Sequence, residues 1–146
     1  MLTRKSSGCV VFRHNEKDQL EILLVTSSNG KEWVHPKGGV EIDLTERASA
    51  AKEVYEEAGV LGNVGMKLGS YRYVKNNQMQ EVTMYAMAYT GEADDWPEAN
   101  KRERKWFKAK KAMNKVSETL APFIWDVIVA VDANTAHEAR KARECV

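Results

Sequence analysis

Glu53, Glu56 and Glu57 stand at the i, i+3, i+4 spacing that brings side chains to one face of a helix. Like charges at that spacing cost a helix a few tenths of a kcal/mol per pair, so folding alone gives no reason to group them. A hard divalent cation reverses that cost, because Mg²⁺ takes carboxylate oxygens together with substrate phosphates. Upstream, the small pair Gly38-Gly39 lets backbone approach a metal or an anion closely, and Lys37 beside it is placed to meet a phosphate. Arg72, Lys75, Arg102 and Arg104 are candidates for a further anion-binding rim, and Glu98 or Glu103 for an acid from outside the cluster. A diphosphate offers little for covalent attack; its barrier falls when charge on the phosphoryl oxygens is neutralised and a water is aligned. Cations held by three carboxylates clamp the phosphates and acidify a bound water, whose proton one glutamate can accept. The residues themselves do not apportion those roles.

Such a set needs a loop that runs into a helix. Thr45 or Asp43 can cap a helix over residues 46–58, with Ala48, Ala51, Val54, Tyr55 and Ala58 as its apolar stripe. Gly59 stands where a helix ends in a left-handed residue. Residues 7–12 and 20–26 read as a hairpin across the polar bridge 13–19, and Trp33-Val34 as a short apolar piece before Pro36. Residues 64–74 and 81–89 read as long strands around an Asn76-Asn77 turn. After a polar loop at 94–102, a short strand is expected at 105–108. Helices are expected at 109–116 and 118–131, with Pro122 in the first turn of the second. The charged, Ala-rich stretch 132–146 either extends that helix or is loose. Mixed elements with strands mostly in hairpins point to an α/β chain of the α+β type, a small mixed sheet sandwiched between helices.

At 146 residues, 43% hydrophobic and 29% charged, the chain is most simply one domain spanning 1–146, with a core over about 5–130. Its formal charge of +1 supplies no global field for nucleic acid, so anion binding must be local. Cys9 and Cys145 lie far apart without a metal-ligand spacing or a disulfide framework, which favours a reduced cytoplasmic setting. No apolar run approaches the roughly 18 residues of a membrane span, and no apolar signal core follows the N-terminal residues. His14, His35 and His137 share no spacing that would make a histidine metal site. Of the aromatics Trp33, Tyr71, Tyr73, Trp96, Trp106 and Trp125, most are expected in the core, Trp106 and Trp125 above all.

The stretch from Gly38 to Val60 resembles the signature of the Nudix hydrolases, Gly-x5-Glu-x7-Arg-Glu-U-x-Glu-Glu-x-Gly-U with U aliphatic. Here it reads Gly38-x5-Leu44-x7-Lys52-Glu53-Val54-x-Glu56-Glu57-x-Gly59-Val60, every spacing kept and seven of nine fixed positions matched. Tyr71-x-Tyr73, residues 95–98 and the basic run before Trp106-Phe107 are most similar to the branch of diphosphoinositol polyphosphate and diadenosine polyphosphate hydrolases. The resemblance implies the Nudix fold and pyrophosphohydrolase activity dependent on Mg²⁺ or Mn²⁺. It implies Glu53 and Glu57 as main metal ligands, Glu56 as ligand or base, and the Gly38 carbonyl as an added oxygen. Lys37, Gly39, Arg72, Lys75 and Arg104 are the expected substrate contacts.

Leu44 and Lys52 depart from the family, which has glutamate and arginine there. Lysine is a point charge without the planar fork that holds a carboxylate by two bonds. Lys52 is expected to orient a neighbouring glutamate singly, and Glu41, Asp43 or Glu46 to replace part of the missing acid. The expected partner is a phosphate-rich small molecule bound by a monomer or homodimer, with nucleic acid disfavoured apart from capped RNA. The contrasting expectation is a Nudix-fold binding or regulatory module that does not turn over.

Overall fold

The computed structural model describes residues 2–144. Ten elements follow in order: β1 (Thr3–His14), β2 (Leu20–Thr26), β3 (Trp33–Val34), β4 (Lys37–Gly39), α1 (Glu46–Ala58), β5 (Val60–Lys75), β6 (Gln78–Glu92), β7 (Arg104–Lys108), α2 (Ala109–Lys115) and α3 (Ala121–Glu144). The strands form one mixed seven-stranded sheet of order β3-β2-β1-β6-β5, with β4 added to β1 and β7 to β2. Strand β1 organises it. Its C-terminal half pairs antiparallel with β2, its N-terminal part with β4, and its long edge runs parallel to β6 from Thr3↔Met79 to Phe12↔Ala88.

Strand alternation divides the core into two layers. Val10, Ile22, Leu24, Val82, Met84 and Phe107 face the layer closed by Ala112, Phe123, Ile124, Val127 and Ile128 of α2 and α3. Cys9, Val11, Leu23, Val25, Tyr85 and Met87 face the layer closed by Ala50, Val54 and Ala58 of α1. The result is the expected sheet between helices. Asn76 and Asn77, at φ 52° and 60°, make the tight turn between β5 and β6, as the asparagine pair predicts.

Three expectations are corrected and one open alternative is decided. The buried face of α1 is Ser49, Ala50, Val54, Glu57 and Ala58, while Ala48 and Tyr55 are exposed. The helix is rotated from its apolar stripe because Glu57 must point inward. Lys37–Gly39, expected within the loop that runs into the helix, is a strand. Gly8 permits it, since a Cβ there would run into the Pro36 carbonyl and Lys37, and the Cys9 N–H donates to that carbonyl at 3.1 Å. Residues 132–144 continue α3, whereas Cys145 lies outside the described residues. Trp106 is partly buried as expected, but Trp125 is 50% exposed on the outer face of α3.

Candidate active site

Helix α1 is fixed at both ends, which sets the rotation of its acids. The Thr45 hydroxyl accepts from the Ala48 N–H at 3.0 Å. Gly59 closes the other end at φ 65°, its N–H donating to the Tyr55 carbonyl. Trp96 Nε1 donates to the Glu57 carbonyl at 3.0 Å and Arg104 Nη1 to the Ala58 carbonyl at 2.9 Å. The Arg104 guanidinium lies 3.9 Å from the Trp96 ring centroid and 3.3 Å from Glu92. Arg104 is therefore engaged at the helix end, and Trp96 with it, rather than at a substrate rim.

Glu57 is 4% exposed. Its Oε2 accepts from the Lys37 N–H at 3.2 Å, and its Oε1 lies 3.4 Å from Arg102 Nη2. Burial pushes its carboxyl up to about 7; Arg102 and the Lys37 N–H act against that, and Glu98 and Glu53 with it. Glu53 is also raised, first by burial, then by Glu56 and Glu98. Its carboxylate lies against Gly38, where a Cβ would overlap it. Glu56 is 3.8 Å from Lys52 Nζ, and Lys52 also makes a short ion pair with Glu41. Lys52 therefore stands between two glutamates, Glu41 and Glu56, rather than holding one alone. The Glu41 hydrogen bond raises the Lys52 pKa.

Glu98, on the loop before β7, reaches the same place. Its N–H donates to the Glu56 carbonyl at 3.0 Å, and its carboxylate accepts from Arg102 Nε at 3.0 Å. Arg102 also donates to the Thr26 carbonyl at 2.8 Å, so one partly buried guanidinium ties α1, the loop and β2 together. Lys37 sends its Nζ to the Tyr73 hydroxyl at 2.8 Å. Tyr73 stacks on Tyr71, with ring centroids 6.1 Å apart, and Tyr71 packs on Phe123 of α3. Arg72 is 67% exposed in a cross-strand pair with Glu81, and Lys75 is exposed at the end of β5. Neither reaches the acids.

Arg4 escapes a reading of the sequence. Its guanidinium packs against Gly39, and with Lys5, Glu41, Leu44 and Glu53 it lines a groove of about 670 Å³. Only the pairing of β1 with β4 brings it there, so no local signal could have revealed it.

The donor set fits a hard cation. Carboxylates of Glu53, Glu56, Glu57 and Glu98 repel one another, and the missing side chain at Gly38 lets the Glu53 carboxylate lie against the backbone there. Among the described residues no three acidic, histidine or cysteine side chains are already converged as a metal cluster.

A loop, a carboxylate helix and a mixed sheet between helices define the Nudix class, and the NUDIX domain model matches residues 2–128. The chain belongs to the Nudix family of hydrolases, which act on phosphoanhydrides. Nudix hydrolase 17, mitochondrial, of Arabidopsis thaliana is 32% identical over 134 residues, covering 86% of this chain and 74% of that protein. Diphosphoinositol polyphosphate phosphohydrolase 2 of Rattus norvegicus is 36% identical over 113 residues, covering 75% and 61%. A C. elegans Ap4A hydrolase in a binary complex has the same fold at TM-score 0.77 and 19% identity, covering 89% of this chain and 98% of that one. The chain spans from 54% to 78% of the Arabidopsis relatives' lengths. Among the described residues no helix is long and apolar enough to cross a membrane.

Proposed function

We propose that this chain, as one domain, is a metal-dependent pyrophosphohydrolase that cleaves a diphosphate linkage in a phosphate-rich small molecule. The observation that carries the reading is Gly38, bare against the Glu53 carboxylate, beside a buried Glu57 tied to Lys37 and Arg102. Glu53, Glu56 and Glu57, with the Gly38 carbonyl, would hold Mg²⁺ or Mn²⁺. When bound, the ion neutralises charge on the phosphoryl oxygens and makes water a stronger nucleophile at neutral pH.

The chain's own residues do the rest. Arg102 and the Lys37 N–H hold Glu57 in one orientation. Lys52 and Glu41 brace Glu56 from the exposed side. Lys37, steered by Tyr73, and Arg4 beside Gly39 set positive charge on either side of the acids, where a diphosphate needs it. Glu56 or Glu98 would take the proton of the attacking water. Diphosphoinositol polyphosphates and dinucleoside polyphosphates are the first substrate classes, supported by the relatives' names and by two basic groups flanking one acid cluster. ADP-ribose and nucleoside triphosphates come next. A reduced cytoplasmic setting suits Cys9, a buried free thiol whose pKa burial pushes up to about 12, although several relatives are named mitochondrial.

The test is release of phosphate or nucleotide from a panel of these compounds with Mg²⁺ or Mn²⁺. Glu57→Gln is expected to lower kcat by about 10²–10⁴-fold while far-UV dichroism is kept. Tight binding of a panel member without turnover by the wild type would make the protein a binding module instead.

A further inference from the structure

The net charge of +1 conceals a division along the chain. Residues 101–115 hold Lys101, Lys105, Lys108, Lys110, Lys111 and Lys115 against one acid, Glu103. All of these lysines are exposed, and none makes an ion pair among the described residues. Arg102 and Arg104 of the same stretch are turned to α1, so the lysines are its outward charge. Helix α2 contains no acid, and Lys111 and Lys115 stand four apart on it. Like charges at that spacing oppose a helix, and one so short has little stability of its own to spare. Folding gains nothing from this grouping.

Part of the set converges on a cleft. Between β3 and the connection from α2 to α3 lies an open hollow of about 330 Å³, lined by Lys31, Glu32 and Trp33 from one side and Lys115, Val116 and Ser117 from the other. Trp33 is half-buried, its ring at 77° to that of Phe107 with centroids 5.2 Å apart. Lys105 Nζ lies 5.2 Å from the Phe107 centroid and Lys115 Nζ 5.9 Å. Two ammonium groups thus stand over the aromatic pair, and Lys31 borders the same cleft. The acids beside it are Glu32 and, next along the chain from Ser117, Glu118; neither pairs with a lysine among the described residues. Trp33 and Phe107 belong to the core layer that α2 and α3 close, whereas the carboxylate helix closes the opposite one.

We propose that this cleft and the lysines around it bind single-stranded nucleic acid, one base against Trp33 and the adjoining phosphates on Lys31, Lys105, Lys111 and Lys115. The overall charge disfavours such a ligand, but its distribution does not. Two features choose it. A run of exposed lysines with one acid among them suits a repeating anion better than a single one. An indole on the wall of an open cleft suits a planar base, and stacking accepts any base because each has a π-face. A duplex keeps its bases stacked inside and would leave Trp33 unused. An anionic membrane surface calls for apolar side chains standing out among the lysines, and between residues 101 and 117 no exposed residue is apolar.

Fluorescence anisotropy of a labelled oligouridylate of about twelve nucleotides, added to the full chain, reads the binding. The RNA ends in a 5′-hydroxyl and the buffer contains EDTA, so neither a terminal phosphate nor a metal at the carboxylates contributes. The wild type is expected to bind at micromolar concentration in about 50 mM salt, log K falling against log salt with a slope of about −3 for four lysine contacts. Lys31→Glu/Lys115→Glu is expected to weaken binding by more than about tenfold and to halve that slope. Trp33→Leu is expected to weaken it about tenfold with the slope unchanged, because stacking releases no counterions. Far-UV dichroism checks that both variants fold. A 4-thiouridine RNA photo-crosslinked to the wild type is expected to mark the segment carrying Trp33, a reading that needs no variant. Binding that both variants keep, a crosslink confined to other segments, or no binding up to about 100 μM overturns the proposal. Hydrolysis plays no part in any of these readings, so they stand or fall apart from the pyrophosphohydrolase activity.

Discussion

Glu57 shows how a buried carboxylate is made tolerable without being neutralised by one partner. A backbone N–H from Lys37 and a guanidinium from Arg102 approach different oxygens, yet neither is close enough to cancel the cost of burial. The remaining electrostatic excess, shared with Glu53 and Glu98, is what a cation would relieve. Gly38 keeps room for that role. A Cβ at Gly38 would overlap the Glu53 carboxyl group, so Gly38→Ala must push Glu53 off its present position. Displacement near 1 Å costs catalysis about 10²-fold, and a fall of that order in kcat is expected for Gly38→Ala. The Glu53 side chain is only half-buried, so the melting temperature should move much less; near-normal turnover in this variant would argue that Glu53 is not where the reaction happens. The acids and their glycine were legible in the sequence because one local pattern holds them. Arg4 and the tie from Arg102 to Glu57 were not, since they depend on strand pairing and on a loop between distant elements. Arg104 misled for the same reason: its charge is visible in the sequence, its engagement with Ala58 is not.

The elements have their own conflict, and α1 states it most clearly. Two of its acids, Glu56 and Glu57, lie in its last turn, where the helix dipole is negative and carboxylates are disfavoured. Two groups from outside oppose this, Trp96 on the Glu57 carbonyl and Arg104 on the Ala58 carbonyl. Gly59 is the joint between them. At φ 65° a side chain there is strained, and its Cβ would sit 2.8 Å from the Trp96 ring and 2.9 Å from Arg104 Nη1. The left-handed conformation alone costs roughly 1–2 kcal/mol for a residue with a Cβ. Displacing Trp96 and Arg104 adds to it. Gly59→Ala is therefore expected to lose more stability than Thr45→Ala, whose cap is worth about 1 kcal/mol. Urea unfolding of both variants makes the comparison; equal losses would mean that the C-terminal clamp yields freely. The bounds of α1 and its two caps were readable because capping chemistry is local. Its rotation was not, because an apolar stripe of Ala48, Ala51 and Tyr55 competes with Glu57, a carboxylate held inward by the Lys37 N–H and Arg102. The parallel pairing of β1 with β6 was equally hidden, its contacts being far apart in sequence.

At the scale of the whole molecule, the two core layers meet the loops at His35. It sits between β3 and β4, is 2% exposed, and neither ring nitrogen has a hydrogen-bond partner. Burial pushes its pKa down to about 4, with the Leu120 backbone at the head of α3 acting against it from outside hydrogen-bond geometry. No neighbouring charge contributes to the shift. The folded protein thus keeps a neutral imidazole where the unfolded chain, with a pKa near 6.5, takes up a proton. Between those values the unfolded state binds more protons, so stability falls as the pH falls. The contribution is fully present above about 6.5 and is lost progressively down to about 4, a total on the order of 3 kcal/mol. Other carboxylates titrate over the same range, so the informative quantity is a difference. His35→Leu removes the titration and the two unpaired nitrogens at similar volume, and such replacement of an unsatisfied buried polar group is neutral or stabilising near pH 7.5. Its urea-unfolding free energy is expected to exceed the wild-type value increasingly as the pH is lowered, by up to about 3 kcal/mol near pH 4. Parallel stability curves for the two proteins would instead mean that water or a partner reaches the ring. A diverging pair would show that the neutral ring at the junction of β3, β4 and α3, next to the Lys37–Gly39 strand, accounts for part of the loss of stability in acid.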